Sequence, residues 1–166
     1  MSAMEYIIEP ITEDDGKAVI DIFNHYIKSS FAAYPEEEVP YEFFNFFLNM
    51  SRGYPFLAAR DGQGRILGFA LLRPYSPIPA FSKTAEITCF IAPEYIGMGL
   101  GSALQERLLS HAKGMGLTSI LAGISSLNSA SLAFHQKRGF TECGRFHAVG
   151  RKWGQDFDVV WMQKRI

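Results

Sequence analysis

One mixed α/β domain, a single sheet with helices on both faces, is the fold class this sequence predicts. Three observations predict it. The stretch from Thr84 to Ala112 reads as an apolar strand, a glycine turn and a helix in immediate succession. Strand-type and helix-type periodicities succeed one another along the whole chain in the order β-α-α-β-β-β-α-β-α-β-β. The 166 residues, 48% hydrophobic and 20% charged, suit one domain over residues 1–166 with a substantial core and no linker, repeat or low-complexity tract.

Each element has its own local signal. Tyr6 to Ile11 is a short first strand. Thr12 caps a helix from about Asp14 to Lys28, where Val19, Ile22, Phe23, Tyr26 and Ile27 form an apolar stripe. Ser29 to Pro40 is a loop whose acidic run, Glu36 to Glu38, is a solvated face or a helix start. Tyr41 to Met50 is a second helix, crowded with Phe43, Phe44, Phe46 and Phe47. Phe56 to Arg60 and Arg65 to Leu72 form a hairpin around Asp61-Gly62-Gln63-Gly64. Arg73 to Lys83 contains three prolines and is predicted as a shaped loop. Ala85 to Ala92 is the central strand, and Gly114 and Gly116 stop the helix that follows it. Ser119 to Ser125 is a buried-type strand. Asn128 or Ser129 caps a helix over Ala130 to Arg138. Phe140 to Phe146 and Phe157 to Met162 are the last strands, with Arg151 to Asp156 as the turn between them.

The glycine turn carries the first functional signal. It reads Gly97-Met98-Gly99-Leu100-Gly101-Ser102, and Leu100, Ala103, Leu104 and Leu108 continue as one helical face. Glycines there let main-chain N–H groups point inward, and a helix start adds unpaired donors and partial positive charge. The combination seats a phosphate or pyrophosphate. A plain flexible turn before a surface helix is the alternative. The loop lacks the Gly-Lys-Ser/Thr of a nucleotide triphosphate loop. A dinucleotide fingerprint is only partly matched. Ser102 stands at its third glycine, and Ser119 to Leu127 holds no acid for a ribose.

Composition narrows the partners. The net charge is −1, which argues against nucleic acid or a membrane surface and for a small molecule or a second copy of the chain. The two cysteines, Cys89 and Cys143, have no metal-site spacing, so no metal is expected. No apolar run approaches membrane length. A soluble, reducing, cytoplasmic setting is the expectation.

The second half of the chain reads Asn128-Ser-Ala-Ser131-Leu-Ala-Phe134-His135-Gln-Lys137-Arg-Gly139-Phe140. Together with the strand, glycine loop and helix before it, this resembles the GCN5-related N-acetyltransferase (GNAT) superfamily. The ending from Gly144 through Gly150, Trp153, Asp158 and Trp161 to Gln163 is similar to one branch. That branch comprises the phosphinothricin and methionine sulfoximine acetyltransferase-like enzymes, which acylate the α-amine of small amino acids. The resemblance runs from the first strand to Gln163.

The resemblance implies the acyl-CoA N-acyltransferase fold, acetyl-CoA as co-substrate, a small amine as acceptor, direct transfer in a ternary complex, and a homodimer. It assigns the pyrophosphate to the amides of Gly97, Met98, Gly99, Leu100, Gly101 and Ser102. It assigns the pantetheine arm and thioester to the main chain of Cys89, Phe90 and Ile91, on a strand that splays from its neighbour, with Asn128 and Ser131 contacting the arm. Ile96 departs from the polar residue usual at its position. Glu86 is the candidate base, with partial burial adjusting it to the task. A main-chain N–H near Phe90 or Ile91 is the candidate oxyanion donor. His135 stands where the superfamily often has a tyrosine that protonates the leaving thiolate, and is a candidate acid or alternative base. The acceptor site is expected on Ser76, Pro77 and Ile78 and on Glu86, Ile87 and Thr88. Arg73 offers a positive charge that this loop lacks, and Phe31, Tyr34 and Tyr75 are candidate apolar lining. Three other readings remain: a non-catalytic acetyl-CoA-binding module, an acetyltransferase of polyamines or peptide N-termini, and a nicotinamide-dependent enzyme.

Overall fold

A computed structural model describes residues 3–166, and the predicted elements occur in the predicted order. They are β1 (Tyr6–Pro10), α1 (Gly16–Ser29), α2 (Phe44–Met50), β2 (Phe56–Asp61), β3 (Ile66–Pro74) and β4 (Thr84–Ile91). Then follow α3 (Leu100–Gly114), β5 (Ser119–Ser125), α4 (Ser129–Lys137), β6 (Thr141–Lys152) and β7 (Gln155–Arg165). Single 3-10 turns, Glu13–Asp15 and Tyr41–Phe43, lead into α1 and α2. The strands form one seven-stranded sheet in the order β1-β2-β3-β4-β5-β7-β6. Only β4 and β5 run parallel, as expected where a helix connects two neighbouring strands. β7, later in the chain than β6, lies inside the sheet between β5 and β6.

Side chains alternate across the strands and so feed two cores. On one face Leu57, Ala59, Ala70, Leu72, Ala85, Ile87, Ile120 and Ala122 meet Leu100, Leu104, Leu108 and Ala112 of α3. On the other, Phe56, Phe69 and Leu71 meet Val19, Ile20, Phe23 and Ile27 of α1 and Phe44 and Phe47 of α2. Phenylalanine dominates this second core. Phe23 lies edge-on to Phe47 at 5.1 Å and to Phe90 at 5.5 Å between ring centres. Such pairs add roughly 0.5–1.5 kcal/mol each beyond their buried area.

The alternation slips once, and the backbone shows why. Ala59 faces Gly68 but Arg60 faces Ile66, so Leu67 is an extra residue in β3. This bulge turns Leu67 to the α3 side although Phe69, two residues on, faces α1. Gly68 is needed beside it: a Cβ there would lie 2.6 Å from Ile91 Cδ1 and 3.0 Å from the Phe90 carbonyl oxygen.

Two expectations about boundaries are corrected. Arg73 and Pro74 belong to β3 rather than to the loop, paired with Glu86 and Ala85. Proline is tolerated because its missing N–H would face the β2 side, where β2 has already ended opposite Leu71. The turn between the last strands also shrinks, to Trp153 and Gly154, both at positive φ (+51° and +74°). A two-residue turn of that hand matches strand twist, so β6 and β7 run on to Lys152 and Gln155.

A buried ion pair ties β2 to the start of α1. Both guanidinium amino groups of Arg60 donate to Asp15, which also accepts from the Thr12 N–H at 2.7 Å. Burial alone would raise the Asp15 pKa, but the hydrogen bonds from Arg60 and Thr12 outweigh it and hold the group below its ordinary 3.8. A carboxylate with a depressed folded pKa stabilises the fold above its unfolded pKa and loses that contribution as pH falls through the folded one. Asp15→Asn is therefore expected to cost about 2 kcal/mol at pH 7, the worth of one charged hydrogen bond. The difference should shrink in urea melts as pH is lowered from 3.8 through the depressed folded pKa.

Candidate active site

Geometry first gathers around the N-terminus of α3. Gly97 and Gly99 both hold φ of +82°, a conformation that strains any residue with a Cβ. Gly99 is the cap of α3, and its carbonyl accepts the first helical bond, from Ala103 N–H at 3.1 Å. The N–H groups of Leu100, Gly101 and Ser102 precede that bond and have no partner within the helix. Met98 is exposed. Ile96, 60% exposed, turns its aliphatic side chain to solvent, so the departure from a polar residue leaves the amides in place.

The second feature is a gap in the sheet. β4 pairs with β5 over three positions only, Thr84↔Ser119, Ala85↔Ile120 and Glu86↔Leu121. Beyond Glu86 the ladder stops, although β4 continues to Ile91 and β5 to Ser125. Which groups face the gap follows from the hydrogen bonds on the other edge. Thr84 C=O accepts from Tyr75 N–H and Ala92 N–H donates to Leu67 C=O, both toward β3. Main-chain groups alternate between edges, so those of Cys89 and Ile91 turn toward β5 and those of Phe90 toward β3. Phe90 is thus removed from the expected set of gap-facing main-chain groups. Its ring packs on Phe23 and Phe69 instead.

Glu86 stands at the apex of this gap, in the last pair before β4 and β5 part. Its carboxylate, 14% exposed, accepts from Arg73 Nε at 2.8 Å and from a second Arg73 nitrogen. The pair is direct register: Arg73 lies opposite Glu86 across β3 and β4. Thr88 shares the Glu86 face, whereas the Ile87 side chain is buried against α3. Tyr75, Ser76, Pro77 and Ile78 follow Arg73 in a mostly exposed loop, stiffened by the Tyr75–Phe81 ring contact at 5.5 Å. On β5, Gly123 lets the Trp161 indole lie against the strand, for a Cβ there would sit 3.1 Å from the ring.

The other expected residues are distributed differently. Asn128 caps α4, its Oδ1 accepting from Ser131 N–H at 3.3 Å. His135 is buried between Phe134 and Phe140, its Nδ1 2.8 Å from the Ser131 carbonyl. Burial lowers its pKa, with the Ser131 bond opposing, so the ring is neutral at pH 7. The one N–H of that ring is engaged by Ser131, which leaves it without a free proton to give. Phe31 and Tyr34 are not brought to the Tyr75 loop. They pack on Phe157, beyond the Ser125↔Val159 pair, whereas the loop joins β4 at the Ser119 end. Cys89 is half-buried, and burial of its sulfur pushes the thiol up to about 12, so it is no nucleophile at neutral pH. Among the described residues no group of three His, Cys, Asp or Glu is placed to hold a metal, and no helix is long and apolar enough to cross a membrane.

Two residues that sequence reasoning left unassigned take part. Tyr26, read as one of a helix stripe, donates its hydroxyl to the Ile91 carbonyl. Lys152, read as part of a polar turn, is fully buried and donates to the carbonyls of Ile27 (2.7 Å), Ser30 (2.6 Å) and Ala33 (2.7 Å). It holds the β6–β7 hairpin on the C-terminus of α1, assisted by Trp153 N–H to Glu36 at 2.7 Å. No local sequence signal marks either contact.

Comparison with known proteins places the sequence and the fold in a family. The profile of the acetyltransferase (GNAT) family matches residues 19–140. Phosphinothricin N-acetyltransferase of Streptomyces coelicolor is 32% identical, the match covering 98% of this chain and 97% of that one. The L-methionine sulfoximine/L-methionine sulfone acetyltransferase of Pseudomonas paraeruginosa is 31% identical over 92% of this chain and 90% of its own. Among solved structures, a phosphinothricin acetyltransferase from Sinorhizobium meliloti in complex with acetyl-CoA superposes with a TM-score of 0.90. It is 25% identical, with 98% of this chain and 89% of that chain covered. In sequence over nearly its whole length, and in fold, the chain belongs to the acetyltransferase (GNAT) family, and by that membership it is an N-acetyltransferase.

Proposed function

We propose that this enzyme acetylates the amine of a small amino acid or amino-acid analogue, by direct transfer within a ternary complex. The observation that carries the reading is the Glu86–Arg73 pair at the apex of the β4–β5 gap. One carboxylate and one guanidinium, side by side on an open sheet face, suit the two ends of an amino acid. Arg73 presents donors for a carboxylate or an oxidised side-chain group, and Glu86 presents an acceptor for the ammonium. Relatives named for phosphinothricin and methionine sulfoximine support the same substrate class.

The residues present fit acetyl-CoA. Gly97 to Ser102 would hold its pyrophosphate on free amides, and the gap-facing groups of Cys89 and the Ile91 N–H would pair with its arm. Asn128 and Ser131 are assigned to the arm as well. When bound, acetyl-CoA supplies an acetyl group already activated as a thioester. The chain supplies the rest. An ammonium cannot attack until it loses a proton, and Glu86 is the group positioned to take it, directly or through one water. The Cys89 and Ile91 N–H groups are donors for negative charge developing in the gap. We assign His135 a packing role in the last turn of α4 rather than proton donation. One domain over residues 1–166 completes the reading, residues 1 and 2 lying outside the described residues. We also infer a cytoplasmic setting, which suits two free cysteines, and a homodimer, for which the exposed Phe146 and Val149 on the edge strand β6 supply apolar surface.

The test is thiol release from acetyl-CoA over a panel of methionine sulfone, methionine sulfoximine, phosphinothricin, free amino acids, polyamines and short peptides. Turnover confined to the amino-acid analogues supports the reading. Turnover only with polyamines or peptides overturns the substrate class, and CoA binding with no turnover points to a non-catalytic module. The seat itself is checked by calorimetry. Gly99→Val forces a β-branched residue to a φ of +82°, at a cost of about 1–2 kcal/mol. CoA affinity should fall by about tenfold.

A further inference from the structure

The Ile91 carbonyl is the one gap-facing group of β4 that a side chain already serves. Ala92 N–H is bonded to Leu67 on β3. The carbonyl of the same trans peptide must point the opposite way, into the gap where β5 is absent. Left there without water or partner it would carry the cost of an unmade hydrogen bond. The Tyr26 hydroxyl, reaching down from α1, donates to it. The phenol is held in place from the other side, its ring 5.3 Å from that of Phe90. It is only half-buried, so it borders the gap without being sealed off from it.

A tyrosine hydroxyl has one proton and two lone pairs. The proton goes to Ile91, and among the described residues no donor meets the lone pairs. Burial raises the Tyr26 pKa, with Cys89 and Glu94 adding to the effect, so the group stays a neutral phenol across the physiological range. An acceptor therefore faces the gap at the level of Ile91, between the glycine seat and the Glu86 apex. A paired β5 would have met the Ile91 carbonyl with an N–H, the place that the Tyr26 hydroxyl proton fills. The pantetheine arm carries two amide N–H groups, the chemistry such an acceptor takes.

We propose that Tyr26 is a binding residue for the pantetheine arm, its hydroxyl proton standing in for the β5 N–H that the gap withholds and its lone pairs receiving an amide N–H of the arm. The proposal rests on the reading of the gap as the acetyl-CoA site. It is tested on Tyr26→Phe, which keeps the ring and its contact with Phe90, by calorimetric titration with two probes. One is CoA. The other is 3′-phosphoadenosine 5′-diphosphate, which keeps the pyrophosphate and lacks the arm. Loss of one hydrogen bond should raise the CoA Kd by about three- to tenfold and leave that of the armless nucleotide unchanged. An unchanged or tighter CoA Kd overturns the proposal, and so does equal weakening of both probes, which would mark a structural role. Failure of the wild-type protein to bind CoA would instead sink the reading of the gap itself.

Discussion

Glu86→Gln is expected to lower turnover by about 10²- to 10⁴-fold, the range that a positioned general base contributes. CoA affinity should not change, because Glu86 belongs to the acceptor side of the gap. The substitution is nearly isosteric, and the glutamine amide can still accept from Arg73, so the apex keeps its shape. What it loses is the capacity to take a proton. A further signature separates base removal from misplacement. With no internal base, the rate should follow the fraction of free amine in solution, rising about tenfold per pH unit until the amine's own pKa is reached. The wild type should flatten far earlier. A Gln variant with unaltered kcat, or one whose rate is insensitive to pH, would remove Glu86 from the role.

Lys152→Met is expected to be the most damaging substitution for stability among those considered. The side chain is 0% exposed, and its ammonium satisfies three carbonyls at and beyond the last turn of α1. Burial lowers its pKa, which Glu36 partly offsets. Its charge also lies over the Trp153 ring at 4.2 Å. Methionine matches the length but leaves the acceptors bare at about 1–3 kcal/mol each, relieved in part because the buried charge goes too. A net loss of about 3–5 kcal/mol and a fall in Tm of roughly 10 °C should follow in a thermal melt. The same change at Lys17, whose pair with Asp21 is exposed, should be nearly silent. Equal effects at both positions would show that the three carbonyls are indifferent to their partner.

The sequence exposed what local chemistry dictates and hid what distance dictates. Periodicity placed every helix and strand, and the glycine run between β4 and α3 marked the turn at the start of α3 because the conformation itself demands glycine. Arg73 was misjudged as loop since proline usually ends a strand, yet Pro74 sits where no N–H was required. The turn at Trp153 was drawn too long because tryptophan rarely adopts a positive φ. Packing against Lys152 and Phe31 holds it there. The burial of Lys152 depends on carbonyls more than a hundred residues away, as 125 positions separate it from Ile27. No window around Arg151-Lys152-Trp153-Gly154 contains that information. The apex position of Glu86 is a matter of register between three strands, and the residues alone named it only as an acid within an apolar run.

The place of β7 bears on how the molecule is made. A nascent chain emerges in order, so β6 leaves the ribosome before the strand that must separate it from β5. Until Gln155 onward is available, β5 is an open edge and β6 has no correct neighbour, so the first half of the sheet must wait with an unpaired flank. An unpaired flank is a template for wrong partners, including β6 itself or another chain. Synthesis paused before β7 should therefore yield aggregation-prone or chaperone-bound intermediates, and α1 should stay loose until the hairpin carrying Lys152 arrives. Maturation of the catalytic face is thus coupled to the last strand of the sheet rather than to the elements that carry its chemistry.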